Sequence, residues 1–64
     1  MIPLYKVPKN TRIDVRHLEL ENRETKERIN ELLFHHIDGM YSLCTSYKHG
    51  TIHLPANTMV NVLV

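Results

Sequence analysis

Residues 32–47 constrain the fold more than any other part of the chain. Two runs of β-forming residues flank the dipeptide Asp38-Gly39 in this stretch. The dipeptide is typical of a two-residue hairpin turn of type I′, which needs positive φ at both central positions. A turn centred there pairs Ile37 with Met40 and thereby fixes every other pair of the hairpin. The sequence therefore predicts an antiparallel β-hairpin at the centre of the chain.

This register divides the hairpin into two faces, because side chains alternate along a strand. The predicted core face carries Leu32, Phe34, His36, Tyr41, Leu43 and Thr45, and a second turn at Gly50 adds Tyr47, Ile52 and Leu54. The second predicted face carries Leu33, His35, Ile37, Met40, Ser42, Cys44, Ser46 and His53. A face that mixes apolar area with a few polar groups is typical of a surface that binds a partner or a small ligand.

The other segments predict short strands around the hairpin. Alternating residues indicate a strand over 11–17, while Pro3 and Pro8 limit the first seven residues to an edge strand or an extended arm. Residues 54–58 (LPANT) indicate a tight turn before a last strand over 59–64. The charge-rich segment 18–31 contains neither Gly nor Pro, and its pattern leaves a short helix and an irregular loop equally open.

Length and composition indicate one small domain over residues 1–64. Its thin core favours self-association, most simply as a homodimer. A single cysteine excludes an internal disulfide, and no apolar run is long enough to span a membrane. A net charge of +1 disfavours nucleic acid as a partner. We therefore expect a cytosolic protein without a membrane partner.

The histidines and Cys44 do not predict a metal or catalytic site. In the predicted register His36 points away from His35, Cys44 and His53, which leaves too few ligands for tetrahedral zinc. A pair of Cys44 and His35 lacks an orienting carboxylate and an oxyanion hole. We therefore expect no enzyme activity, no metal and no cofactor.

Five short strands with closely spaced hairpins predict a small, partly open β-barrel. Residues 50–60 resemble the closing segment of SH3 domains, where a strand runs into a Pro-x-Asn 3₁₀ turn and a final strand follows. The resemblance implies an all-β, SH3-like barrel of five strands, with 18–31 inserted as a charged loop or short helix. The acidic and aromatic residues that hold proline-rich ligands in SH3 domains have no counterpart here, so that binding mode is not implied.

Three motifs resemble those of a group of small bacteriophage proteins whose function is mostly unassigned. Residues 7–15 fit Val-Pro-x-x-Thr-x-Ile/Val-x-Val, residues 34–44 fit Phe-x-His-Ile-Asp-Gly-Met-Tyr-Ser-x-Cys, and residues 53–62 fit the tail. The segment 18–31 is not matched. This resemblance implies a phage-encoded accessory protein that acts in the cytoplasm of the host cell.

Three classes of function remain open. The first is sequestration of a nucleotide signal of host immunity, such as a cyclic dinucleotide, because phages encode small non-enzymatic proteins of that kind. The second is inhibition of a host protein by docking on it. The third is binding of single-stranded nucleic acid on a small barrel.

The ligand or partner is predicted to meet the second face and its rim. The expected contacts are His35, Tyr41, Ser42 and His53, with Arg12 and Lys48 as charge partners. In the alternative, His35 and His53 simply hydrogen-bond within the barrel. The second face could equally be a homodimer interface or be covered by segment 18–31.

Overall fold

Six antiparallel strands form one sheet in the computed structural model, which describes residues 1–64. The strands are β1 (Ile2–Pro3), β2 (Thr11–Asp14), β3 (Glu31–Asp38), β4 (Tyr41–Ser46), β5 (Gly50–Ile52) and β6 (Met59–Val62). The helical segments are two 3₁₀ turns, Leu4–Lys6 and Arg16–Leu18. Neither has the length and apolar composition that crossing a membrane requires. The predicted all-β class is confirmed.

The sheet is not closed into a barrel, and it has six strands rather than the five predicted. The strand order is β1-β6-β2-β3-β4-β5, so that β1 and β5 are the two edges. These edge strands have two and three residues and form no ladder with each other. The additional strand is the N-terminal edge strand, where Pro3 is tolerated because an edge needs fewer backbone donors.

The turn of the central hairpin lies one residue later than predicted. Gly39 and Met40 form the turn, Asp38 pairs with Tyr41, and Gly39 has φ of 65°. Positive φ at the first central residue alone is typical of a type II′ turn rather than type I′. A shift of one residue moves every side chain of a strand to the opposite face of the sheet. Ser42 and Cys44 are therefore fully buried in the core. The predicted core residues Tyr41, Leu43, Thr45 and Tyr47 instead lie on the outer face or in the loop beyond it.

A β-bulge at His35 changes the faces of β3 as well. Phe34 pairs with Cys44 and His36 pairs with Leu43, so His35 is the extra residue. A bulge re-aims side chains, and here it brings both histidines to the outer face. The prediction of His36 in the core is therefore wrong, and Ile37, predicted on the second face, packs against the core.

The predicted register of the hairpin between β4 and β5 pairs Tyr47 with Ile52 and Thr45 with Leu54, but in the structure the partner of each β4 residue lies three positions earlier in the chain. Thr45 pairs with Thr51 and Ser46 pairs with Gly50, whose φ is 79°. The loop between them is residues 47–49, and Tyr47 at its start is fully exposed rather than paired with Ile52. The Ser46 hydroxyl accepts hydrogen bonds from the loop amides at 3.3 and 3.2 Å, which fixes this shorter turn.

Ten buried side chains form the core. They are Leu4, Val7, Ile13, Val15, Ile29, Leu32, Phe34, Cys44, Leu54 and Val60. The predicted strand over 11–17 ends early, because the Asp14 carboxylate accepts a hydrogen bond from the Arg16 amide at 2.9 Å and turns the chain. The predicted tight turn over 54–58 is confirmed by a 3.0 Å hydrogen bond from the Thr58 amide to the Pro55 carbonyl.

Apart from its end residues, Leu18 in the second 3₁₀ turn and Glu31 in β3, segment 18–31 is a loop, one of the two structures that its sequence left open. We call this segment the charged loop, and residues 21–28 its tip. Glu21 and Arg28 form an isolated antiparallel bridge, so the tip closes on itself. The Asn22 side-chain oxygen accepts the amides of Glu24 and Thr25 at 2.9 and 3.0 Å. These local bonds satisfy the backbone without a helix.

Ser42 is the polar centre of the core. Its hydroxyl donates to the Leu54 carbonyl at 2.9 Å and accepts from the Leu54 amide at 3.3 Å. The Ser42 amide donates to the same carbonyl at 2.7 Å. The hydroxyl also lies 3.4 Å from the Cys44 thiol, which is the donor because Ser42 gives its own proton to Leu54. Together these bonds hold β4 against the chain that follows β5.

We predict that Ser42→Ala lowers the free energy of unfolding by about 1–3 kcal/mol, because it strands a buried amide and a buried thiol. The matched variant Ser46→Ala also removes a hydroxyl that accepts two amides, but water can replace it at the loop, and we expect a loss under about 1 kcal/mol. Urea denaturation monitored by circular dichroism measures both. Equal losses would contradict the role assigned to Ser42.

Candidate functional site

The structure separates the six predicted contact residues into three places. Arg12, His35 and Lys48 lie on or beside the outer face of the sheet, Tyr41 and His53 lie at the end of the sheet near Gly39, and Ser42 is in the core. Two separate surfaces are therefore candidates for a site. The buried Ser42 hydroxyl belongs to neither, because all of its bonding is spent inside the protein.

The first candidate surface is a shallow cleft of about 560 Å³ on the outer face. We call it the outer-face cleft, and its lining is Arg12, Glu31, Leu32, Leu33, Thr45, Ser46, Tyr47 and Lys48. Strand pairing places Arg12, Leu33 and Thr45 in one row across three strands. Its volume lies in the range of small-molecule sites, which is roughly 300–1,000 Å³.

Each cation of the outer-face cleft has a carboxylate partner. The Arg12 guanidinium donates to Glu31 at 2.8 Å, and the Lys48 ammonium forms an ion pair with Glu27 in the tip of the charged loop. The hydrogen bond from Lys48 holds the pKa of the Glu27 carboxyl below its ordinary value. All four side chains remain between 43% and 70% exposed. Ion pairs with this exposure are weak, so both cations can change partners.

His35 and His53 each use one ring nitrogen inside the protein. The Nε2 atom of His35 lies 2.7 Å from the Thr45 hydroxyl, beside the outer-face cleft. The Nδ1 atom of His53 donates to the Ser42 carbonyl at 3.1 Å. Hydrogen bonds of this kind are expected if His35 and His53 have a structural role and bond within the protein. The other nitrogen of each ring has no hydrogen-bond partner in the protein.

The second candidate surface lies at the end of the sheet near Gly39. It consists of Tyr5, Met40, Tyr41, His53 and Pro55, and we call it the turn-end surface. The Ala56 amide donates to the Met40 carbonyl at 2.9 Å, and the Tyr5 amide donates to the Ala56 carbonyl at 3.1 Å. Tyr41 forms an isolated bridge with Pro55.

Three large apolar side chains of the turn-end surface are exposed. Tyr5 is 59% exposed, Met40 82% and Tyr41 53%. Sequence reasoning found Tyr41 and His53 but missed Tyr5 and Pro55, because contacts between residues so far apart in the chain leave no local pattern. Exposed apolar side chains on segments that are joined by backbone hydrogen bonds are typical of a protein-binding surface.

Potential metal ligands do not cluster on either surface. No three His, Cys, Asp or Glu side chains are grouped closely enough to hold a metal ion. Burial raises the pKa of the Cys44 thiol, which disfavours the thiolate that a nucleophile needs.

The ion pair with the most hydrogen bonds joins Asp14 and Arg16. The guanidinium donates two hydrogen bonds to one carboxylate oxygen, at 2.7 and 3.0 Å, and a third to the other at 3.1 Å. These bonds hold the pKa of Asp14 below its ordinary value and raise the pKa of Arg16. The pair closes the turn after β2, the strand that carries Arg12.

Comparison with known proteins adds no assignment. No family model, no curated protein and no solved structure matches this chain. The candidate surfaces therefore stand on their own geometry.

We predict that Asp14→Asn lowers stability at neutral pH and that its difference from wild type shrinks in acid. A folded-state pKa below the unfolded one means that the ionised carboxylate stabilises the fold above the unfolded pKa, and that this stabilisation is lost as the pH falls through the folded value. Urea midpoints at about pH 7 and about pH 2 measure the effect. Asp38→Asn removes the same charge without removing an ion pair, and should cost less at neutral pH. A difference that persists in acid would contradict the prediction.

Proposed function

We propose that this protein is a non-enzymatic bacteriophage accessory protein that acts in the cytoplasm of the host cell. In this proposal it binds and sequesters a nucleotide signal of host immunity, such as a cyclic dinucleotide. The phage origin and the class of ligand rest on the resemblance of residues 7–15, 34–44 and 53–62 to small phage proteins. The physical support is the outer-face cleft.

One observation carries the nucleotide proposal: the outer-face cleft combines an apolar floor, a free aromatic ring and two cations. Leu33 lies in the floor and Tyr47 stands fully exposed beside it. Any nucleobase can stack on a tyrosine ring, because every base has a flat aromatic face. Arg12 can hold a phosphate through two parallel hydrogen bonds, and Lys48 can hold another as a point charge.

The acidic partners of these cations set the kind of ligand that can bind. An exposed ion pair contributes roughly 0–1 kcal/mol, so a phosphate in direct contact with either cation can replace the carboxylate. Glu27 and Glu31 then repel the ligand unless each is displaced. A cyclic dinucleotide has two phosphates and can displace both, whereas a ligand with a single anionic group leaves one carboxylate facing it.

We propose that the open sheet is a variant of the SH3-like arrangement. Its support is that β5, the hydrogen-bonded turn at Pro55 and β6 follow one another as in the closing segment of SH3 domains.

The turn-end surface favours a second candidate function, which is inhibition of a host protein by docking on it. Three exposed apolar side chains without a formal charge among them suit a protein partner better than a nucleotide. Because Arg12 and Lys48 are not part of this surface, charge-removing variants in the cleft would leave such docking intact.

The main test is a calorimetric titration against a panel of cyclic di- and oligonucleotides. We predict that Arg12→Gln weakens binding by roughly 10- to 100-fold, the value of a charge-assisted hydrogen bond. Arg28→Gln changes net charge equally but lies outside the outer-face cleft, and should bind within roughly twofold of wild type.

The ligand should be recovered chemically intact after the protein is denatured. Recovery of a degraded nucleotide would contradict the non-enzymatic proposal. Equal weakening by the two variants would contradict the cleft. Binding of single-stranded oligonucleotides that collapses with added salt would instead favour the third class of function.

We also propose that the protein forms a homodimer through the turn-end surface, as the alternative to docking of a host protein there, because a core of ten residues is small and this surface is exposed. Light scattering should give twice the mass of one chain. Tyr5→Lys should return the monomer, because a charge in an apolar interface is costly, whereas Tyr47→Lys should not. A monomer mass that does not change with concentration would contradict the dimer.

A further inference from the structure

Lys48 stands where two clefts of the surface meet. It lines the outer-face cleft, and it also lines a second cleft of about 780 Å³ beneath the tip of the charged loop. Its ammonium group pairs with Glu27, which belongs to that tip. One side chain thus connects the proposed ligand site with a segment on the other side of it.

The tip of the charged loop is joined to the rest of the protein by two polar side-chain contacts. The first is the Lys48–Glu27 ion pair. In the second, the Asn22 amide nitrogen lies 3.1 Å from Nδ1 of His49. Because the Asn22 oxygen already accepts two backbone amides, its nitrogen must face His49 and His49 must be the acceptor. The base of the loop is held more firmly, since Ile29 is buried in the core.

We propose that Lys48 exchanges between Glu27 and a phosphate bound in the outer-face cleft, so that ligand binding releases the tip of the charged loop. This inference rests on the proposed function for the nature of the ligand. The exchange itself requires only an anion with phosphate chemistry in the cleft.

The charges explain why one contact excludes the other. A phosphate bound to Lys48 places a second negative charge next to the Glu27 carboxylate, and the two like charges repel each other. The Lys48 and Glu27 side chains are 65% and 43% exposed, so the pair is weak enough for the phosphate to replace. The Asn22–His49 hydrogen bond is uncharged and remains, so the tip opens on one side only.

Opening of the tip changes what the protein displays. Leu20 and Ile52 line the second cleft and pack partly against the core. Both become more accessible when the tip moves away. The ligand-free and the ligand-bound protein therefore expose different apolar surfaces. A partner protein that binds Leu20 and Ile52 distinguishes the two states.

Hydrogen exchange of the tip amides, measured by NMR with inorganic pyrophosphate as the probe, tests the exchange of partners. The Asn22 amide donates to the carbonyl of Glu27 and the Lys26 amide to that of Asn22, so their exchange rises when the release of Glu27 from Lys48 loosens the tip. We expect Glu27→Gln to raise their exchange roughly two- to fivefold without any ligand, which is the population shift that a weak ion pair supports. The matched variant Glu24→Gln removes the same charge from the tip but no ion pair, and should leave exchange near the wild-type rate.

Pyrophosphate should raise exchange in the wild type to the level of Glu27→Gln and have little further effect on that variant. It should also bind Glu27→Gln roughly two- to fivefold more tightly than Glu24→Gln. The inference is overturned if the two variants behave alike, if pyrophosphate binds without changing exchange, or if it binds none of the three proteins. If pyrophosphate acts as expected while the nucleotide panel fails, only the nucleotide part of the proposed function is lost.

Discussion

The turn at Gly39 fixes the pairing of Asp38 with Tyr41, and the burial of the neighbouring strand follows from that pairing. With this register the small side chains of Ser42 and Cys44 enter the core opposite Ile37 and Phe34. Ser42 can then satisfy Leu54 through three hydrogen bonds, which attaches the chain after β5. Even the turn-end surface depends on the same register, because it places Tyr41 beside Pro55.

The all-β class, the presence of a turn near each glycine and the tight turn at Pro55 could be predicted from sequence, because each has a strong local signal. The faces of β4 could not. Asp38-Gly39 favours one turn type, but a type II′ turn at Gly39 needs positive φ at only one residue, and both turns are compatible with the same sequence. The bulge at His35 then adds a second shift with no signature of its own. The local sequence thus leaves two registers open, and the observed one buries Ser42 and Cys44.

The candidate site shows the same division. Sequence inspection selected Arg12 and Lys48 as cations, and both line the outer-face cleft. It gave no indication of Glu27 and Glu31 as their partners, since those contacts join residues about 20 positions apart. Ser42 was chosen because it was placed on the wrong face, while Tyr47 was assigned to the core and instead stands exposed at the rim of the cleft. The sequence identifies Arg12 and Lys48 as cations, but only the fold shows that Glu31 and Glu27 neutralise them.

The short edge strands limit how this sheet can meet another protein. β1 has two residues, one of them Pro3, and β5 has three. A partner that adds a strand to an edge gains its affinity from a row of main-chain hydrogen bonds, and here each edge provides very few. The short edge strands also hinder edge-to-edge association of sheets into fibres. Recognition therefore depends on side chains on the faces and at the end of the sheet. A partner must bind these side chains rather than the main-chain groups of an edge strand.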